Sequence, residues 1–107
     1  MSAIPEMSVD EVRDDVVLLD VREADEWAAG RAPGAVHLAL SELAGATLDL
    51  EPGATVQVIC KAGGRSAQAT AYLRDQGFDA VNVVGGMLAW AASGREVVAD
   101  DGPGRVA

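Results

Sequence analysis

The sequence predicts an α/β fold: a small, doubly wound, mainly parallel sheet with helices on both faces. Three observations predict it. Short apolar runs at residues 16–20, 56–59 and 81–84 read as strands buried on both sides. Stretches with helical pattern and end signals alternate with them. The chain has 107 residues, half of them hydrophobic and only 4% aromatic, which suits one aliphatic core built from Ala, Val and Leu. The expected organisation is one domain over residues 1–99 and a flexible tail over 100–107.

Ser8 with Glu11 three residues later is a capping-box pattern that opens a short helix through Arg13. The run VVLLD at 16–20 ends in an acid, Asp20, and a helix is expected over 23–29. A second helix is expected over 41–46, and the strand 56–59 stops directly before Cys60. A longer helix over 66–76 is closed by Gly77 as its C′ residue. After strand 81–84, Gly85 and Gly86 permit a sharp turn into a helix over 86–92. Beyond it, SGREVVADDGPGRVA loses apolar periodicity, so it should pack briefly near Val97 and then fray.

Composition excludes several functions. No apolar run approaches the roughly 20 residues that span a bilayer, and the acidic start lacks the features of a secretory signal, so a cytoplasmic location is expected. The net charge of −9 argues against nucleic-acid or anionic-membrane partners. A lone cysteine precludes an internal disulfide, and His37 alone cannot supply a zinc site, so no metal is expected. Cys60 is then either a core filler or a reactive thiol.

The context of Cys60 favours reactivity. In sheets of this kind ligands bind beyond the carboxyl ends of the strands, where both Asp20 and Cys60 are predicted to lie. The segment Cys60, Lys61, Ala62, Gly63, Gly64, Arg65, Ser66 joins a strand to a helix. Its two glycines allow successive amides to curl inward into an anion-sized cup. The following helix aims its N-terminus at the cup, and Lys61 and Arg65 add positive charge. An ordinary thiol, with a pKa of about 8.5, is only a few per cent ionised at neutral pH, and such surroundings lower that pKa by one to several units.

These residues resemble the rhodanese (thiosulfate sulfurtransferase) superfamily, in particular its small single-domain members, over nearly the whole chain. CKAGGRS is similar to the family's active-site pattern Cys-x-x-Gly-x-Arg-Ser. LLDVREADEWAAGRAPGAVHLALSEL is similar to its N-terminal signature and GGMLAW to its C-terminal one. The resemblance implies that Cys60 takes sulfane sulfur from a small anionic donor such as thiosulfate and yields it to cyanide or a thiol. The intermediate would be a persulfide, formed without a cofactor. It further implies that Lys61, Ala62, Gly63, Gly64 and Arg65 bind the substrate, with Asp20, Arg22 and Ser66 in support.

Other positions have plainer readings. Asp20 would orient an arginine or loop amides, and Arg22 would lie at the rim and pair with Asp20 or an acid of the next helix, or remain solvated. Trp27 and Trp90 read as packing anchors, and His37 as a structural histidine. Arg31 stands where many relatives have His. The acidic stretches at 14–15, 23–26 and 100–101 read as solvated surface.

Two other functions compete with a sulfurtransferase of the thiosulfate type. One is a carrier module that passes persulfide sulfur between proteins of a relay. The other is a phosphatase, since dual-specificity phosphatases share the fold. Their loops place five residues between Cys and Arg, whereas this chain has four, Lys61 to Gly64, a smaller cup that suits one sulfur better than a phosphate. A catalytically silent relative would ordinarily lack the cysteine.

Overall fold

The computed structural model describes residues 3–107. Its central sheet contains β1 (Glu6–Met7), β2 (Val17–Asp20), β3 (Val36–His37), β4 (Thr55–Ile59) and β5 (Asp79–Val83). They run in the order β1-β5-β4-β2-β3, all parallel. The helices are α1 (Ala24–Ala29), α2 (Leu40–Leu43), α3 (Gly64–Asp75) and α4 (Gly86–Ala92). The three strands predicted from apolar runs form the middle of the sheet. The edge strands β1 and β3 are two residues each, too short to leave a periodic signal.

Alternation along the strands divides the core between the two faces. Leu19, Val56, Val58 and Cys60 pack with Ala69 and Leu73 of α3 and Leu43 of α2. Their neighbours Leu18 and Ile59 face the other way, with Val83, Met87 and Trp90. Side chains of successive residues leave opposite faces of a strand, so a run that is apolar throughout needs cover on both sides. The polar member of β4, Gln57, is buried because its amide is satisfied: it accepts from the Arg13 amide at 2.8 Å and donates to the Arg13 and Val16 carbonyls.

Several element ends differ from expectation. The segment opened by Ser8 is a single 3-10 turn, Val9–Glu11, although Glu11 accepts the Ser8 amide at 2.9 Å as the capping box requires. The helix expected from Ser66 begins two residues earlier, at Gly64. Gly77, at φ +96°, closes it as expected: its amide reaches Arg74 and that of Phe78 reaches Leu73, the paired bonds of a Schellman ending. At the C-terminus, β6 (Val98–Ala99) pairs antiparallel with β7 (Gly102–Pro103), and of the two only β7 lies in the segment expected to be flexible. Val98 bridges Arg31, the Arg105 amide donates to Ala29, and Val106 packs on the second core cluster. No helix among the described residues is long and apolar enough to cross a membrane.

Candidate active site

β4 delivers Cys60 to the carboxyl edge of the sheet, in the middle of the strand order. Four residues later α3 begins, and the loop between them closes on the sulfur. The Gly63 amide donates to Cys60 Sγ at 3.0 Å, and Ser66 Oγ lies 3.2 Å from it. Gly63 turns its amide inward by adopting φ +112°, a conformation that residues with a Cβ avoid. Gly64 does something different. It is the first residue of α3, its φ is not positive, and an added Cβ would meet nothing within 4 Å. One glycine, not two, makes the curl.

The back of the loop rests on α4. The Met87 amide donates to the Cys60 carbonyl at 2.8 Å and the Leu88 amide to the Lys61 carbonyl at 3.0 Å. Gly86 permits this approach, at φ +55°, because a Cβ there would lie 2.6 Å from the Lys61 carbonyl oxygen. The Gly85-Gly86 pair, expected only to turn the chain, therefore also shapes the cup.

The electrostatics of Cys60 oppose burial to hydrogen bonding. Burial is the largest single influence and pushes the thiol pKa up. The Ser66 hydroxyl and the amides of Ser66, Gly63 and Ala62 together outweigh it, leaving the pKa below its ordinary value. Cys60 is only 1% exposed, and the same residue that receives these donors also closes the aliphatic cluster under α3.

The cations behave differently from expectation. Arg65 does not point into the cup: its guanidinium forms a two-pronged pair with Glu26 of α1, at 2.6 and 2.8 Å. That pair holds the Glu26 carboxyl at a pKa of about 2 and raises the Arg65 pKa, to which the Cys60 charge also adds. Glu26, expected to be solvated, is thus the partner of the loop arginine. The lowering of the thiol comes from dipoles of the loop more than from full charges. Lys61 is half-buried and makes no ion pair among the described residues.

Asp20 and Arg22 meet in the interior rather than at a rim. Both are fully buried, and Arg22 Nη2 lies 2.7 Å from Asp20 Oδ2 while its Nε reaches both carboxylate oxygens at 3.0 Å. Nη2 also donates to the Gly30 carbonyl at 2.7 Å, tying the end of α1 to β2. Asp20 registers with Ile59 across the sheet, so this brace stands beside the cup. His37 Nε2 lies 2.7 Å from the Arg22 carbonyl, and its ring stacks on Trp27 at 4.9 Å. The Arg31 guanidinium lies over the Trp27 ring, 4.8 Å from its centroid, and pairs with Asp100. Trp90 is buried in the second cluster and donates to the Glu96 carbonyl.

Two polar side chains of the site escaped the sequence reading. Glu26 lies 39 positions from its partner, beyond any local pattern. Asn82 of β5 is buried behind Ser66: Ser66 Oγ is 2.6 Å from its Oδ1, and its Nδ2 donates to the Gly63 carbonyl at 3.3 Å. A polar residue inside the apolar run AVNVV was the available signal for Asn82.

The family profile described as "Rhodanese-like domain" matches residues 8–93 of this chain. A protein of Allochromatium vinosum named "Sulfurtransferase" is 38% identical over 90 residues, which cover 83% of this chain and 84% of that protein. A rhodanese-related protein of Thermoplasma volcanium has a similar crystal structure, with a TM-score of 0.81 and 31% identity over 88% of this chain and 97% of its own. The human single-domain sulfurtransferase TSTD1 is similar at a TM-score of 0.73 and 31% identity, covering 82% of this chain and 96% of its own.

Proposed function

The chain belongs to the rhodanese-like domain family, and on that premise we propose that it is a sulfurtransferase carrying sulfane sulfur as a persulfide on Cys60. The donor is thiosulfate or a persulfide, and the acceptor is cyanide or a thiol. One observation carries the reading: Cys60 Sγ sits within hydrogen-bond reach of the Gly63 amide and the Ser66 hydroxyl, at the start of α3. Donors fixed before reaction stabilise charge on sulfur without reorganisation.

With thiosulfate, the Cys60 thiolate attacks the outer sulfur, the S–S bond of the donor breaks, and sulfite leaves with the electron pair. Cyanide then attacks the terminal sulfur of the persulfide, giving thiocyanate and restoring the thiolate. Atoms and electrons balance with no further redox partner. Lys61, unpaired among the described residues, is the cation best placed to attract the donor. Ala62, Gly63, Gly64 and Arg65 complete the substrate loop, with Ser66 against Cys60 Sγ and the Asp20–Arg22 pair beside the cup as support. Thiocyanate production from thiosulfate and cyanide, with Cys60→Ser as control, tests the proposal; equal rates for the two proteins would reject it.

A second reading is a persulfide carrier in a protein relay. Leu88, whose amide holds the loop, is 49% exposed, and Val84 just before α4 is 47% exposed. Apolar side chains next to a covered cysteine suit contact with a protein donor. Direct sulfur transfer from a cysteine desulfurase persulfide, in the absence of thiosulfate turnover, distinguishes this reading.

A further inference from the structure

The bonds behind Cys60 close into a ring. Gly63 donates its amide to Cys60 Sγ, Ser66 Oγ touches both Sγ and Asn82 Oδ1, and Asn82 Nδ2 donates to the carbonyl of Gly63. The orientation of the Asn82 amide follows from the last contact. Reversed, its oxygen would face the Gly63 carbonyl oxygen, with no hydrogen between two acceptors. Oδ1 therefore faces Ser66, and Ser66 supplies the hydrogen.

A serine hydroxyl has one hydrogen to give. At 2.6 Å the contact to Asn82 is the shorter of the two; the contact to sulfur is 3.2 Å. Ser66, Asn82 and Cys60 are all buried, so water cannot readily supply a missing donor. When Cys60 is a thiol, all are satisfied: S–H donates to Ser66 and Ser66 donates to Asn82. When Cys60 is a thiolate, the Ser66 hydrogen adds to the loop amides in stabilising it, and once Ser66 turns to the sulfur Asn82 Oδ1 is left as a buried acceptor without a partner.

We propose that Asn82 is a positioning residue that competes with the Cys60 thiolate for the single hydroxyl hydrogen of Ser66, and so sets how much of the resting cysteine is ionised. The inference deepens the sulfurtransferase reading and rests on it only in taking Cys60 as the reacting atom. The charged groups around the cup are Lys61 and Arg65, Glu23 and Glu26 at α1, and the Asp20–Arg22 pair. None of these side chains hydrogen-bonds to the side chain of Ser66 or Asn82 among the described residues. α4 brings no ionisable side chain to the cup.

The test is the pH midpoint of Cys60 ionisation, followed by thiolate absorbance and by iodoacetamide alkylation, in the full chain without any sulfur donor. Ser66→Ala is expected to raise the midpoint. Asn82→Leu, close in size and without polar atoms, is expected to lower it by about one pH unit, a tenfold gain in thiolate at a pH below both midpoints. Combined with Ser66→Ala, Asn82→Leu is expected to have no effect. An Asn82→Leu midpoint that rises, or that moves equally with and without Ser66, would overturn the proposal, because Asn82 would then act only by holding Gly63. If Asn82→Leu does not melt cooperatively, Asn82→Ala is read by the same criteria. Since no sulfur donor is present, a failure here is distinct from a failure to transfer sulfur.

Discussion

Replacing Glu26 by Gln isolates the pair that takes Arg65 away from the cup. In the folded protein Arg65 holds the Glu26 carboxyl at about 2, against an ordinary 4.5. A carboxyl whose pKa is depressed by folding stabilises the native state at pH values above 4.5, and that contribution is lost as pH falls toward 2. Each pH unit is equivalent to about 1.4 kcal/mol, which bounds the contribution at roughly 3 kcal/mol. The Arg65 side chain is 35% exposed, so water screens the pair and about 2 kcal/mol is a better expectation. The assay is urea unfolding of both proteins from pH 7 down to pH 2. The other carboxylates titrate alike in the two, so the difference between the curves reports Glu26. The native protein should be more stable than Glu26→Gln by about 2 kcal/mol at pH 7, and the gap should close near pH 2. A gap that is constant with pH, or absent at pH 7, would refute the assignment.

Further substitutions separate the parts of the site. Gly64→Ala should be tolerated or stabilising by up to about 0.5 kcal/mol, since the position is helical and open. Gly63→Ala, forced to φ +112°, should cost about 1–2 kcal/mol and raise the Cys60 midpoint by turning its amide away; equal thermal shifts for the two variants would contradict the loop geometry. Arg22→Ala leaves the Asp20 carboxylate buried without its partner, and urea unfolding should show a loss of about 3–5 kcal/mol. A loss below about 1 kcal/mol would mean that the Asp20–Arg22 brace is not a structural element.

The middle of the sheet was legible because residues 16–20, 56–59 and 81–84 are apolar on both faces, which only a covered parallel sheet requires. Gly77 was legible because a helix end leaves a local signature. Cys60 stood out through CKAGGRS, whose anion cup is formed within a few residues of chain. What remained hidden depends on distant partners. The sequence offered Arg65 as a cation beside the sulfur, but where a guanidinium turns is decided by Glu26 on another helix. Arg22 was readable as a partner of Asp20 but not as a fully buried one, because its burial depends on the Gly30 carbonyl and on α1 closing over it. The two glycines of the loop looked equivalent, and only the backbone angles tell them apart. Residues 100–107 looked free because Gly, Pro and Asp dominate their composition, whereas the β6–β7 pairing uses backbone bonds that composition does not report.

The intact mass of the freshly purified protein, taken before and after incubation with thiosulfate and again after a reductant, tests most directly whether Cys60 holds transferable sulfur. A gain of a single sulfur atom that the reductant removes, and that Cys60→Ser never acquires, is the predicted result. A native protein whose mass does not change with thiosulfate or with a persulfide donor, or a Cys60→Ser variant that gains the same mass, would contradict it.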